Sequence, residues 1–121
     1  MIQGLDHVQL AMPHGEETQA RAFYAELLEL TEIPKPQKLL HRGGVWFKLA
    51  DNRELHLGIE EPFQPAKKAH PAFVVTEIRR LARRLEKAGY PVQWDEMIPG
   101  CRRFYTTDPF GNRLEFLEFI P

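Results

Sequence analysis

The sequence predicts an α+β fold: one domain made of two β-α-β-β-β modules paired around a cupped cleft. Three observations predict it. The order of hydrophobic patterns in residues 1–60 recurs in residues 70–121. Each half carries one helical pattern among four strand-like runs, enough to cover one face of a sheet and leave the other open. Ligand-type side chains also recur at equivalent places, His7 and His70 at the heads of the halves and His56 and Glu115 at their tails.

The first module, residues 1–60, opens on an alternating run from Leu5 to Met12, with His7 and Gln9 on one face and Val8 and Leu10 on the other. Pro13-His14-Gly15 ends that strand. Ala20, Phe23, Tyr24, Leu27 and Leu28 then follow the spacing of one helical face. A short strand from Thr31 leads into a proline-rich loop at Pro36. Gly43-Gly44 precedes a strand at Val45–Leu49, Asp51-Asn52 turns the chain, and Arg53–Ile59 is the fourth strand.

Residues 61–69, polar and with two prolines, read as a linker. The second module, residues 70–121, opens on a strand at His70–Val75, with Thr76 as the expected helix N-cap. Ile78, Leu81, Ala82 and Leu85 make one helical face, and Gly89 suits the C-terminal cap. A short strand at Pro91–Trp94 and a loop through Ile98-Pro99-Gly100 follow. Arg102–Thr107 and Arg113–Phe119 are strands joined by the turn Asp108–Asn112.

Composition narrows the function classes. In 121 residues, 43% are hydrophobic and 27% charged, ordinary for a globular protein with a real core. A net charge of -1 gives no reason to expect nucleic acid as a partner; the basic run Arg79, Arg80, Arg83, Arg84 and Lys87 reads as a solvated helix face. No apolar run approaches the roughly 20 residues of a membrane span, and the start lacks a signal-peptide pattern. The single Cys101 has no disulfide partner and no evident base, so it reads as structural in a cytoplasmic protein.

Strand alternation points His7, His56, His70 and Glu115 to one kind of face, opposite Val8, Leu10, Leu55, Leu57, Leu114 and Phe116. Three imidazoles and a carboxylate suit a borderline divalent ion, Zn, Ni, Fe, Mn or Co, rather than Ca or Mg. An ion with open positions accepts two substrate oxygens, and Glu115 or His56, if detached, acts as a general base. Gln9, Trp46, Arg103 and Tyr105 are candidate pocket residues from their strand positions, while His14 and His41 fall in turns or loops. The competing reading of Glu115 is an ion pair with Arg113 on the same strand face.

Asp6-His7-Val8, Ala22-Phe23-Tyr24 through Leu27-Leu28, and Asp108-Pro109-Phe110-Gly111-Asn112-Arg113-Leu114-Glu115 together resemble the vicinal oxygen chelate superfamily, which includes glyoxalase I, extradiol dioxygenases and the fosfomycin- and bleomycin-resistance proteins. The resemblance covers essentially the whole chain. It implies a glyoxalase/dioxygenase-like fold, and metal ligands at the positions of His7, His56, His70 and Glu115. Members with three protein ligands use the equivalents of His7, His70 and Glu115. Where glyoxalase I-like members usually carry a fourth ligand that is a carboxylate, this chain has His56. The implied function is a metal-dependent isomerase, lyase or dioxygenase acting on a small oxygen-rich molecule, the partner being a small substrate. The alternative is a non-catalytic binding protein of the bleomycin-resistance type, with Trp46, Trp94 and Tyr105 as its aromatic surface. A homodimer is expected, with the site either within a chain or between chains.

Overall fold

The computed structural model describes all residues, 1–121. The chain divides into two compact units, Met1–Pro65 and Ala66–Pro121. Each is a four-stranded sheet with a helix inserted after its first strand, so the mixed α+β class and the repeated β-α-β-β-β order are both present.

In the first unit β1 (His7–Met12) leads to α1 (Glu17–Ala20), which runs on as a π-helix, Arg21–Leu27. Then come β2 (Thr31–Ile33), a 3-10 helix (Gln37–Arg42), β3 (Val45–Lys48) and β4 (Glu54–Ile59). The sheet order is β1-β4-β3-β2, with β1 parallel to β4 and the other pairs antiparallel. The helix supplies the crossover that a parallel pair needs. It buries Phe23 and Tyr24, with the Tyr24 ring on Phe47 of β3, centroids 5.5 Å apart. Leu10, Met12, Val45, Phe47, Leu55 and Leu57 complete this buried layer, each such side chain stabilising the fold by about 1.5–3 kcal/mol. The simple helical spacing expected for 20–28 is corrected here. The Leu28 amide bonds the Phe23 carbonyl at 2.9 Å, the wider turn of a π-helix; Ala20, Phe23 and Tyr24 are buried as the spacing predicts, while Leu27 and Leu28 are only half-buried.

The second unit repeats the plan with β5 (Ala72–Val74), α2 (Ile78–Lys87), β6 (Gln93–Trp94), β7 (Cys101–Thr107) and β8 (Arg113–Phe119). Its order is β5-β8-β7-β6, again with the first and last strands parallel. Phe73, Phe116, Phe104 and Trp94 are successive cross-strand partners and form one row of rings, with neighbouring centroids 5.2–5.5 Å apart. Ile78, Ala82 and Leu85 bury the apolar side of α2 against β7 and β8. The basic run on α2 is exposed.

Two details differ from the sequence expectation. His70 precedes β5 instead of opening it, since the strand begins at Ala72 beyond Pro71, which has no amide hydrogen to give to a ladder. Thr76 does not cap α2. Glu77 occupies that position with φ 54°, and the Glu118 carboxylate, from β8, accepts from the amides of Glu77 and Ile78 at 2.9 and 3.4 Å. A carboxylate from another strand thus satisfies donors that a local hydroxyl was expected to take. Gly89, at φ 93°, follows the end of α2 as expected. The Asp108–Asn112 turn is closed by Asp108 Oδ1, which accepts from the amides of Phe110 and Asn112, both at 2.9 Å.

Candidate functional site

Both sheets have one face packed on their helix. The polar residues of interest lie on the other. In the first unit this face carries a row across β3, β4 and β1. Trp46 and His56 are direct partners, and their rings stack at 3.7 Å with 2° between planes. His7 stacks on His56 at 4.3 Å. His56 is therefore sandwiched between two rings and is only 4% exposed, whereas His7 is exposed. Gln9 lies beside them, its amide against the open side of Gly58.

Hydrogen bonds fix which nitrogens are free. His56 Nε2 lies 2.8 Å from Glu54 Oε1 and His7 Nδ1 lies 2.9 Å from Asp6 Oδ2. A carboxylate only accepts, so the facing nitrogen donates, leaving His7 Nε2 and His56 Nδ1 as the acceptor atoms. Holding a histidine by a carboxylate at its other nitrogen is the usual support for a metal ligand.

In the second unit Glu115 of β8 is buried, and its two oxygens have different partners. Oε1 lies 2.9 Å from His70 Nε2; Oε2 accepts from Arg103 at 3.2 Å. His70 Nδ1 lies 2.7 Å from the Lys68 carbonyl oxygen. Both neighbours of this imidazole are acceptors, so Nε2 needs a proton or another cation between it and Glu115. A separation of 2.9 Å between two donor atoms is also what two adjacent ligands of one ion adopt, given bonds of roughly 2.0–2.2 Å. The pair His70–Glu115 thus fits a divalent cation. Neither unit by itself gathers three or more histidine, cysteine, aspartate or glutamate side chains into such a cluster.

Arg103 also meets Asp95 at 3.1 Å. Burial pulls its guanidinium down, but the hydrogen bond to Glu115 and the charges of Asp95, Tyr105 and Glu115 outweigh that and leave it raised above the usual arginine value. Its Nε is buried without a partner. The Glu115–Arg113 pairing entertained from the sequence is replaced by Glu115–Arg103, and Arg113 instead lies over the Tyr105 ring at 4.0 Å. Tyr105 in turn meets His70 edge-on at 5.4 Å.

A cavity of about 200 Å³ opens in the second unit, lined by Lys67, Pro91, Gln93, Tyr105, Thr106, Thr107, Gly111 and Arg113. Of the four expected pocket residues only Tyr105 lines it. Gln9 and Trp46 belong to the other unit's sheet, and Arg103 is engaged by two carboxylates. Lys67, Gln93, Thr107 and Arg113 also line it and were not among the expected pocket residues. Alternation places Arg113 on the Glu115 face and Pro91–Trp94 is the expected strand, but the register that sets Gln93 opposite Tyr105 is not legible in the sequence. His14 and His41 are exposed, and Cys101 is buried.

The pattern of the Glyoxalase/Bleomycin resistance protein/Dioxygenase superfamily matches residues 4–116. A solved structure from Bacillus anthracis, attributed to the glyoxalase family, is 53% identical, with 98% of this chain and 97% of that chain covered and a TM-score of 0.93. Lactoylglutathione lyase from Agrobacterium tumefaciens is 21% identical, over 98% and 95% of the two chains, with a TM-score of 0.75. The fosfomycin resistance protein FosX from Listeria monocytogenes is 20% identical, over 98% and 94%, with a TM-score of 0.76. These last two likenesses are of fold. No curated protein matches the sequence. With the family pattern spanning nearly the whole chain and a 53% identical relative aligned end to end, the protein belongs to the glyoxalase/bleomycin resistance protein/dioxygenase superfamily.

Proposed function

We propose that this protein is a divalent-metal-dependent enzyme of the glyoxalase/dioxygenase type, an isomerase, lyase or dioxygenase for a small substrate with two vicinal oxygens. The observation that carries the reading is the His70–Glu115 pair, with acceptor atoms 2.9 Å apart and each group held from behind, by the Lys68 carbonyl and by Arg103. Within the second unit His70 Nε2 and Glu115 Oε1 would hold the ion; within the first, His7 Nε2 and His56 Nδ1 are the candidate donors. The ion, when bound, supplies Lewis-acid polarisation of substrate oxygens.

The chain's own groups do the rest. Asp6 fixes the His7 tautomer and Glu54 that of His56. His56 Nδ1, left as the acceptor by the Glu54 contact at Nε2, is a candidate to accept a proton next to the substrate carbonyl. Arg103 keeps Glu115 oriented through Oε2, so that Oε1 is the oxygen available to the ion or to a substrate proton. The binding-protein reading draws less support, because Trp46 has a face covered by His56 and Trp94 packs edge-on against Phe104.

Elemental analysis of tag-free protein made without chelators tests this. Near-stoichiometric metal, lost in His70→Ala and Glu115→Ala, is the expected result. Protein that takes up no Zn²⁺, Ni²⁺, Co²⁺, Mn²⁺ or anaerobic Fe²⁺ would overturn it.

A further inference from the structure

We infer that the cavity of the second unit is an oxyanion subsite, and that the substrate is a small acid bearing a carboxylate or phosphate group. Its lining includes two cations, Lys67 and Arg113, and no aspartate or glutamate. Neither cation has a carboxylate partner. The Arg113 guanidinium rests only on the Tyr105 ring, and its backbone amide is already used by the Ala66 carbonyl. Glu115, two residues along on the same strand face, has its two oxygens on His70 and Arg103 and forms no ion pair with Arg113. Gln93, Tyr105 and Thr107 add neutral side chains able to donate to an anion. An arginine whose plane is set by an aromatic ring presents its donors in fixed directions, which suits the paired oxygens of a carboxylate or phosphate.

Size and position give the rest. About 200 Å³ is below the ~300–1,000 Å³ of sites that enclose a drug-sized ligand, so the cavity takes a small group and not a whole large molecule. Strand register sets Gln93 opposite Tyr105, Tyr105 opposite Glu115, and Thr107 opposite Arg113, all on one sheet face. Tyr105 is the shared wall, with Arg113 over its ring and His70 at its edge. A ligand anchored here by its anionic end therefore reaches toward His70 and Glu115 with its other end. That orientation rests on the proposed role of those two residues; the anion site does not.

The test is a titration followed by ¹H–¹⁵N NMR, using sodium L-lactate, inorganic phosphate and, as the neutral control, lactamide, at constant ionic strength. Shifts are expected at the Gln93 side-chain amide and the Thr107 and Gly111 backbone amides with lactate, phosphate or both; whichever anion acts identifies the headgroup. Arg113→Gln is expected to weaken binding at least about tenfold, the loss of one charge-assisted contact. Lys67→Met, at an exposed position, is expected to weaken it without risk to the fold. No shift at these residues with either anion, an equal response to lactamide, or binding unchanged in both variants would overturn the subsite. Repeating the titration in Glu115→Gln separates the two readings. Anion binding that persists in Glu115→Gln shows that the subsite does not depend on a bound ion, and wild-type protein that binds the anion but takes up no metal leaves the subsite standing and removes only the metal-enzyme reading.

Discussion

Arg103 does not line the cavity of the second unit, yet it fixes Glu115 Oε2 at 3.2 Å while Asp95 fixes Arg103. If Glu115 is a ligand, Arg103→Met should weaken metal affinity about 10–100-fold, as loss of an outer partner typically does. Competition against a chromophoric chelator reads this, and an unchanged affinity would show that Arg103 serves packing alone. Tyr90 gives a separate expectation. Burial, and then the charge of Asp108, raise its phenol above 10.0. A raised value in the fold means stability is fully present below pH 10 and is lost as pH rises through the folded value. Urea unfolding between pH 8 and 11 should show this decline in the native protein and less of it in Tyr90→Phe.

Single contacts between segments set the strand and helix ends. Gly44 has φ 85°, and a Cβ there would run into the Leu57 carbonyl oxygen across the β3–β4 pair. Gly44→Ala should cost more than ~1 kcal/mol, through both the backbone conformation and the clash. At α2, Glu118→Gln keeps an acceptor but loses the negative charge beside the helix start, so a loss of about 0.3–1 kcal/mol is expected. Chemical denaturation checks both, and an unaltered midpoint in Gly44→Ala would mean that β3 shifts freely. The sequence placed both helices and the order of all eight strands because periodicity is a local property. It misjudged the cap of α2 because the capping carboxylate lies 41 residues away. Ordinary helical spacing put Phe23 and Tyr24 on the buried face, but it does not record the wider π-turn that follows Ala20.

For the molecule as a whole, ligand binding to the folded state alone raises stability by mass action. Saturation with a bound divalent ion at about 100 times its Kd should add about 2.7 kcal/mol, EDTA should reverse it, and His70→Ala should abolish it. Thermal melts at fixed protein concentration measure this. A melt insensitive to both metal and chelator would count against a resident ion. What the sequence by itself determined was the repeated β-α-β-β-β plan and the superfamily, because each follows from patterning along the chain; His7, His56, His70 and Glu115 it marked only as candidates. Only the tertiary structure decided the surroundings of those residues. It put His56 inside a Trp46–His7 stack, gave Glu115 to Arg103 instead of Arg113, and left Lys67 and Arg113 as uncompensated cations around one cavity. The reason is that strand pairing and loop return bring together groups far apart in sequence, and no local pattern records which of several nearby charges will meet.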